Sequence, residues 1–120
     1  MILIVDDDHA ITQVMKDVLT REGYGVRIAA NGEEAYGILK GQTCRGMLLD
    51  LLMPGINGAG LLMLMAADGI RLPVIIMAGA PDFSAEELAE FPNVVGVMKK
   101  PFYPEEILDL VRRHMPKPSR

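Results

Sequence analysis

Four charged residues in this sequence each follow a short apolar run. Asp6 and Asp7 come directly after Ile2–Val5, Asp50 directly after residues 47–49, and Lys100 just beyond residues 94–98. Carboxylates and an ammonium gathered at one place suit phosphoryl transfer, which asks for positioning and charge neutralisation more than for covalent work by many groups. One carboxylate serves as nucleophile, two hold a hard cation and the lysine offsets charge. Three neighbouring carboxylates repel one another. Mg2+ relieves this, taking one or two carboxylates, a backbone carbonyl, waters and a phosphoryl oxygen. Together with the lysine it brings the formal charge of the set close to zero.

Each residue alone has an ordinary reading. A single Asp after a strand is usually a turn residue or cap. A Lys-Pro pair is a loop, and Asp8 reads better as a helix N-cap than as a ligand. The four together say more, because all stand at the same end of their apolar runs.

The runs themselves are Ile2–Val5, 47–49, 74–77 and 94–98, short and unbroken by polar residues, as in strands of a parallel sheet covered on both faces. Val26–Ala29, interrupted by Arg27, suits an edge. Helical patterns lie between. Ile11, Val14, Met15, Val18 and Leu19 mark one helix face, ending towards Gly23. Asn31 can cap a second helix, with Glu34 as return partner, Ala35, Ile38 and Leu39 as its stripe and Gly41 at its end. Ser84-Ala85-Glu86-Glu87 offers another capping box. Pro104 opens the last helix, with Glu105 and Glu106 at its positive end and Ile107, Leu108, Leu110 and Val111 as its apolar residues. Strand and helix alternate five times, which predicts an α/β sandwich with right-handed crossovers. In an open parallel sheet all strand C-termini share one edge, where ligands bind. The four charged residues therefore converge.

At 120 residues, half of them hydrophobic, one domain is expected. A net charge of −4 without a basic face argues against direct contact with nucleic acid. Cys44 is the single cysteine and reads as a packed side chain rather than a reactive thiol. His9 and His114 lack partners for a metal set and suit solvent-facing helix positions. The nine methionines sit mostly at core-like positions. The sequence shows neither a signal-peptide pattern nor a run of about 20 apolar residues, so a cytoplasmic protein without membrane contact is expected.

The segments Ile4-Val5-Asp6-Asp7-Asp8, Leu48-Leu49-Asp50-Leu51-Leu52-Met53-Pro54-Gly55-Ile56-Asn57-Gly58 and Lys100-Pro101-Phe102 resemble the receiver domain of bacterial response regulators. The resemblance covers residues 1–116 and leaves 117–120 as a short tail. It implies a flavodoxin-like fold: a doubly wound, five-stranded parallel sheet of order 2-1-3-4-5, flanked by five helices. It further implies that Asp50 accepts a phosphoryl group from a sensor histidine kinase or phosphotransfer protein. Asp7 would bind Mg2+ directly and Asp6 through water, with the backbone carbonyl of Leu52 as a further ligand. Lys100 would pair with Asp50 and then with a phosphoryl oxygen, and its peptide bond to Pro101 would often be cis. Pro54 and Gly58 would shape the loop beyond the acceptor.

Two departures stand out against that family. Its hydroxyl at the end of the fourth strand aligns with Ala78, and its switching aromatic on the fifth strand aligns with Val97. No Ser or Thr occurs between Thr43 and Ser84, so a shifted alignment restores nothing. Phosphorylation with weakened or differently built switching is expected. Leu52 and Ala80, where hydrolytic water would approach, cannot orient it, so slow loss of the phosphoryl group is expected. The family's partner surface falls here on a region holding Phe83, Phe91, Val97, Phe102 and Tyr103, open to an effector domain, an effector protein or a second copy. Two other readings compete. A degenerate receiver would act through protein contacts without phosphate. An aspartate-nucleophile phosphatase would want an acid two residues beyond the nucleophile, where Leu52 stands, so an enzyme is not expected.

Overall fold

The computed structural model describes residues 1–51, 55, 57–78 and 90–116. Five strands, β1 (Ile2–Val5), β2 (Val26–Ala29), β3 (Gly46–Asp50), β4 (Val74–Ala78) and β5 (Val94–Lys99), form one parallel sheet in the order β2-β1-β3-β4-β5. Every residue of β1, β3 and β4 is buried, which explains their unbroken apolar runs. β2, with its Arg27, lies at an edge as its sequence suggests. The sheet is flavodoxin-like in topology.

Four helices accompany it among the described residues, rather than the five expected: α1 (His9–Arg21), α2 (Gly32–Gly41), α3 (Gly58–Ala67) and α4 (Pro104–His114). The capping box at Ser84 lies outside the described residues, as do Leu52, Pro54, Ala80, Phe83 and the tail 117–120. The caps follow local chemistry. Asn31 accepts from the Glu34 N–H at 2.8 Å, and Asn57 accepts from the Gly60 N–H at 2.9 Å. Gly23, just past α1, has φ +93°.

Strand alternation sorts the core into two layers. Leu3, Val5, Met47, Leu49, Val74 and Ile76 face α2 and α3, packing on Ala35, Leu39, Leu61 and Met65. Ile2, Ile4, Leu48, Ile75, Met77 and Met98 face the other way, onto Met15 and Leu19 of α1 and Ile107 and Val111 of α4. That second layer positions the site. Asp6, Asp50 and Lys100 each come two residues after one of its members (Ile4, Leu48 and Met98), so period-2 alternation sends all three to one side of the sheet.

Candidate functional site

The sheet's C-terminal edge brings the expected acids together. Asp6, Asp7 and Asp50 each offer a carboxylate oxygen, and these oxygens lie within 4.8 Å of one another. Asp6 and Asp50 are almost fully buried, at 2% and 4% exposure, and Asp7 is exposed. Buried charge needs compensation, and Lys100 provides part of it. Its Nζ lies 3.2 Å from Asp6 Oδ2 and 3.4 Å from Asp50 Oδ2. The lysine is thus shared between two carboxylates, where the family resemblance pointed only to Asp50. Burial alone would lower the Lys100 pKa; the charges of Asp6 and then Asp50 outweigh it and hold the ammonium above the ordinary lysine value.

The backbone holds these groups in register. Asp50 closes β3 beside Met77 of β4. The Lys100 N–H donates to the Ala78 carbonyl at 2.8 Å, tying the end of β5 to the end of β4. The Lys100–Pro101 bond is cis. Beyond the acceptor, the Gly58 N–H donates to the Leu51 carbonyl at 3.1 Å. A Cβ at Gly58 would meet the Leu51 Cα at 2.6 Å, so only glycine permits this approach.

Asp8 is the cap the sequence suggested. Its Oδ1 accepts from the N–H groups of Ala10 and Ile11 at 2.9 and 3.2 Å. Its own N–H donates to Asp6 Oδ1 at 3.0 Å, a bond that residue spacing alone does not reveal. Ala78 is buried at the end of β4, and Val97 is 41% exposed on β5. Tyr103 is exposed, while Phe91 and Phe102 are half-buried, so the aromatic region is not one continuous exposed patch among the described residues. His9 is exposed, and His114 and Cys44 are half-buried.

An apolar hollow of about 470 Å³ adjoins the acidic pocket, lined by Ile11, Val14 and Met15 of α1 and by Pro101, Phe102 and Ile107, with Lys100 at its margin. No helix among the described residues is long and apolar enough to cross a membrane.

A doubly wound parallel sheet with an acidic pocket and a paired lysine at its C-terminal edge places the chain among the open α/β folds that bind ligands at that edge. Residues 2–112 match the family model for the response regulator receiver domain, and the chain belongs to that family. It is a receiver of two-component signal transduction, a family to which phosphorylation and Mg2+ binding are general. The chain is 32% identical over 115 residues to sporulation initiation phosphotransferase F of Bacillus subtilis, covering 96% of this chain and 93% of that protein. It is 28% identical to response regulator MprA of Mycolicibacterium vanbaalenii, over 92% of this chain and 48% of that protein, so it spans about half the length of that relative. A solved putative response regulator from Chloroflexus aurantiacus superimposes with a TM-score of 0.84 at 31% identity, covering 97% of both chains.

Proposed function

We propose that Asp50 accepts a phosphoryl group from a phosphohistidine on a sensor kinase or phosphotransfer protein. The observation that carries this is the pocket itself: three carboxylates within 4.8 Å of one another, with Lys100 bridging Asp6 and Asp50. The donor set fits Mg2+, a hard cation that takes oxygen ligands. Asp6, Asp7, Asp50 and the backbone carbonyl of Leu52 would hold it. When bound it supplies positive charge to the phosphoryl oxygens. Asp50 attacks phosphorus, a P–O bond forms as the donor's P–N bond breaks, and the leaving imidazole takes up a proton. Lys100 then turns from the Asp50 carboxylate to a phosphoryl oxygen. The apolar hollow between α1 and Phe102 lies beside Lys100 and suits the apolar face of the donor's helix.

Nothing in this reading requires turnover, so the domain is a phosphoacceptor rather than an enzyme. Effector domains or proteins, or a second copy, are the natural readers of the phosphorylated form, in the cytoplasm.

Intact-mass measurement after incubation with acetyl phosphate tests the reading. A phosphoryl adduct should appear with Mg2+, vanish with chelator and be absent from Asp50→Asn. The opposing reading, a degenerate receiver that works through protein contacts alone, is favoured by Ala78 and Val97 at the two switch positions. It predicts no adduct under any of these conditions.

A further inference from the structure

The orientation of Asp6 depends on a helix cap. β1 ends at Val5 and α1 begins at His9, so only Asp6, Asp7 and Asp8 make the turn between them. Both oxygens of the buried Asp6 carboxylate are engaged: Oδ2 by Lys100 Nζ at 3.2 Å and Oδ1 by the backbone N–H of Asp8 at 3.0 Å. These two donors fix the rotation of the carboxylate about its side chain. The second is only as well placed as the Asp8 backbone. That backbone is extended, at φ −87° and ψ 106°, and is held by its own side chain, whose Oδ1 takes the Ala10 and Ile11 N–H groups. The Asp8 carbonyl meanwhile accepts from the Thr12 N–H at 3.1 Å, the first bond of the helix. Side-chain cap, backbone angle, N–H direction and Asp6 orientation form one chain of cause, with no spare residue in the turn to absorb an error.

We propose that Asp8 is a positioning residue for the cation site: by capping α1 it aims its backbone N–H at Asp6 Oδ1 and so presets the Asp6–Asp7 pair. The inference rests on the reading of the pocket as a Mg2+-dependent phosphoacceptor. It assigns Asp8 a geometric role. The carboxylate of Asp8 is committed to the helix N-terminus and contributes through hydrogen bonding, so another good capping side chain serves in its place.

Calorimetric titration of the full chain with Mg2+ separates the cases. Asp8→Ala should weaken Mg2+ binding by roughly three- to tenfold, because outer groups that orient ligands act through ligand geometry. Asp8→Ser and Asp8→Asn keep a capping oxygen without the charge and should stay within about twofold of wild type. Asn31→Ala is the control: it removes the cap of α2, where Asn31 accepts from the Glu34 N–H, and so lowers stability without touching the turn after β1. Its Mg2+ affinity should equal that of wild type. In acetyl phosphate reactions, the Mg2+ concentration for half-maximal rate should rise in Asp8→Ala while the plateau holds. If Asp8→Ala binds Mg2+ as wild type does, or if Ser and Asn weaken binding as much as Ala, the positioning role is overturned. A wild-type protein that binds no Mg2+ overturns the reading of the pocket itself, and this inference with it.

Discussion

Asp6 and Asp50 share one ammonium, and both carboxylates are nearly out of water. Removing the shared cation leaves two buried charges facing each other. Lys100→Met, close in length and apolar, should destabilise the metal-free protein by about 1–3 kcal/mol, less than a fully buried pair would lose because Lys100 is partly exposed. The effect has a defined pH dependence. The folded-state pKa of Lys100 is raised. Its contribution is therefore fully present below the unfolded lysine value of about 10.4 and is lost as pH rises through the higher folded value. Urea midpoints of wild type and Lys100→Met, taken in chelator, should differ at neutral pH, and the gap should shrink as pH rises past the ordinary lysine range and through the raised folded value. A gap that is constant with pH would show that the ammonium is not the source. Asp6, Asp7, Asp50 and Lys100 were legible in the sequence because each interrupts or follows an apolar run that could only be a buried strand. The Asp6–Lys100 pair was not, since nothing in spacing says which of two neighbouring carboxylates a lysine reaches. Its signal lay in parity: Ile4 to Asp6, Leu48 to Asp50 and Met98 to Lys100 are all steps of two.

The elements around the pocket differ in how tightly they are specified, and their glycines measure this. Gly58, the first residue of α3, has the Leu51 backbone where its Cβ would be, 2.6 Å away. Gly58→Ala must move one backbone against the other, immediately beyond Asp50, and should cost about 1–3 kcal/mol and slow phosphoryl acceptance. Gly37, exposed within α2, would meet nothing within 4 Å. Gly37→Ala should stabilise by about 0.5–1 kcal/mol through helix propensity and a less flexible unfolded chain. Denaturant titration of the two variants should give opposite signs; the same sign for both would contradict the packing described. Most elements could be read from sequence, because α1, α2 and α4 carry apolar stripes bounded by Asp8, Asn31 and Pro104. No residue pattern marked α3. Its ten residues, Gly58–Ala67, are apolar or glycine throughout, with Leu61, Leu62 and Met65 buried and Met63 exposed. Without polar residues on the outer face, periodicity has no contrast to show.

At the scale of the whole molecule, the question is whether a phosphoryl group at Asp50 changes anything distant. Layering follows from the alternation of strand and helix, and strand order from the family resemblance, so the scaffold was legible early; a second conformation leaves no such imprint. A ligand shifts a population only by binding one state better than the other. A hydroxyl at position 78 could supply that difference, and Ala78 cannot. A methyl side chain at the end of β4 offers the phosphoryl group no donor beyond the backbone, and Val97 is already 41% exposed, with no aromatic ring to turn inward. Beryllofluoride with Mg2+, as a phosphoryl mimic, should therefore move amide NMR signals around Asp6, Asp50 and Lys100 while leaving β5 and α4 largely unchanged. Ala78→Thr supplies the missing donor. A hydrogen bond to a charged acceptor adds about 1–3 kcal/mol of difference between states, a bias of roughly five- to 150-fold. In that variant the mimic should carry shifts outward from residue 78 into β5, through the link between the Lys100 N–H and the carbonyl of residue 78. Wide shifts in the wild-type protein would show that backbone groups near Ala78 drive the transition unaided, and that the side-chain switch is dispensable here.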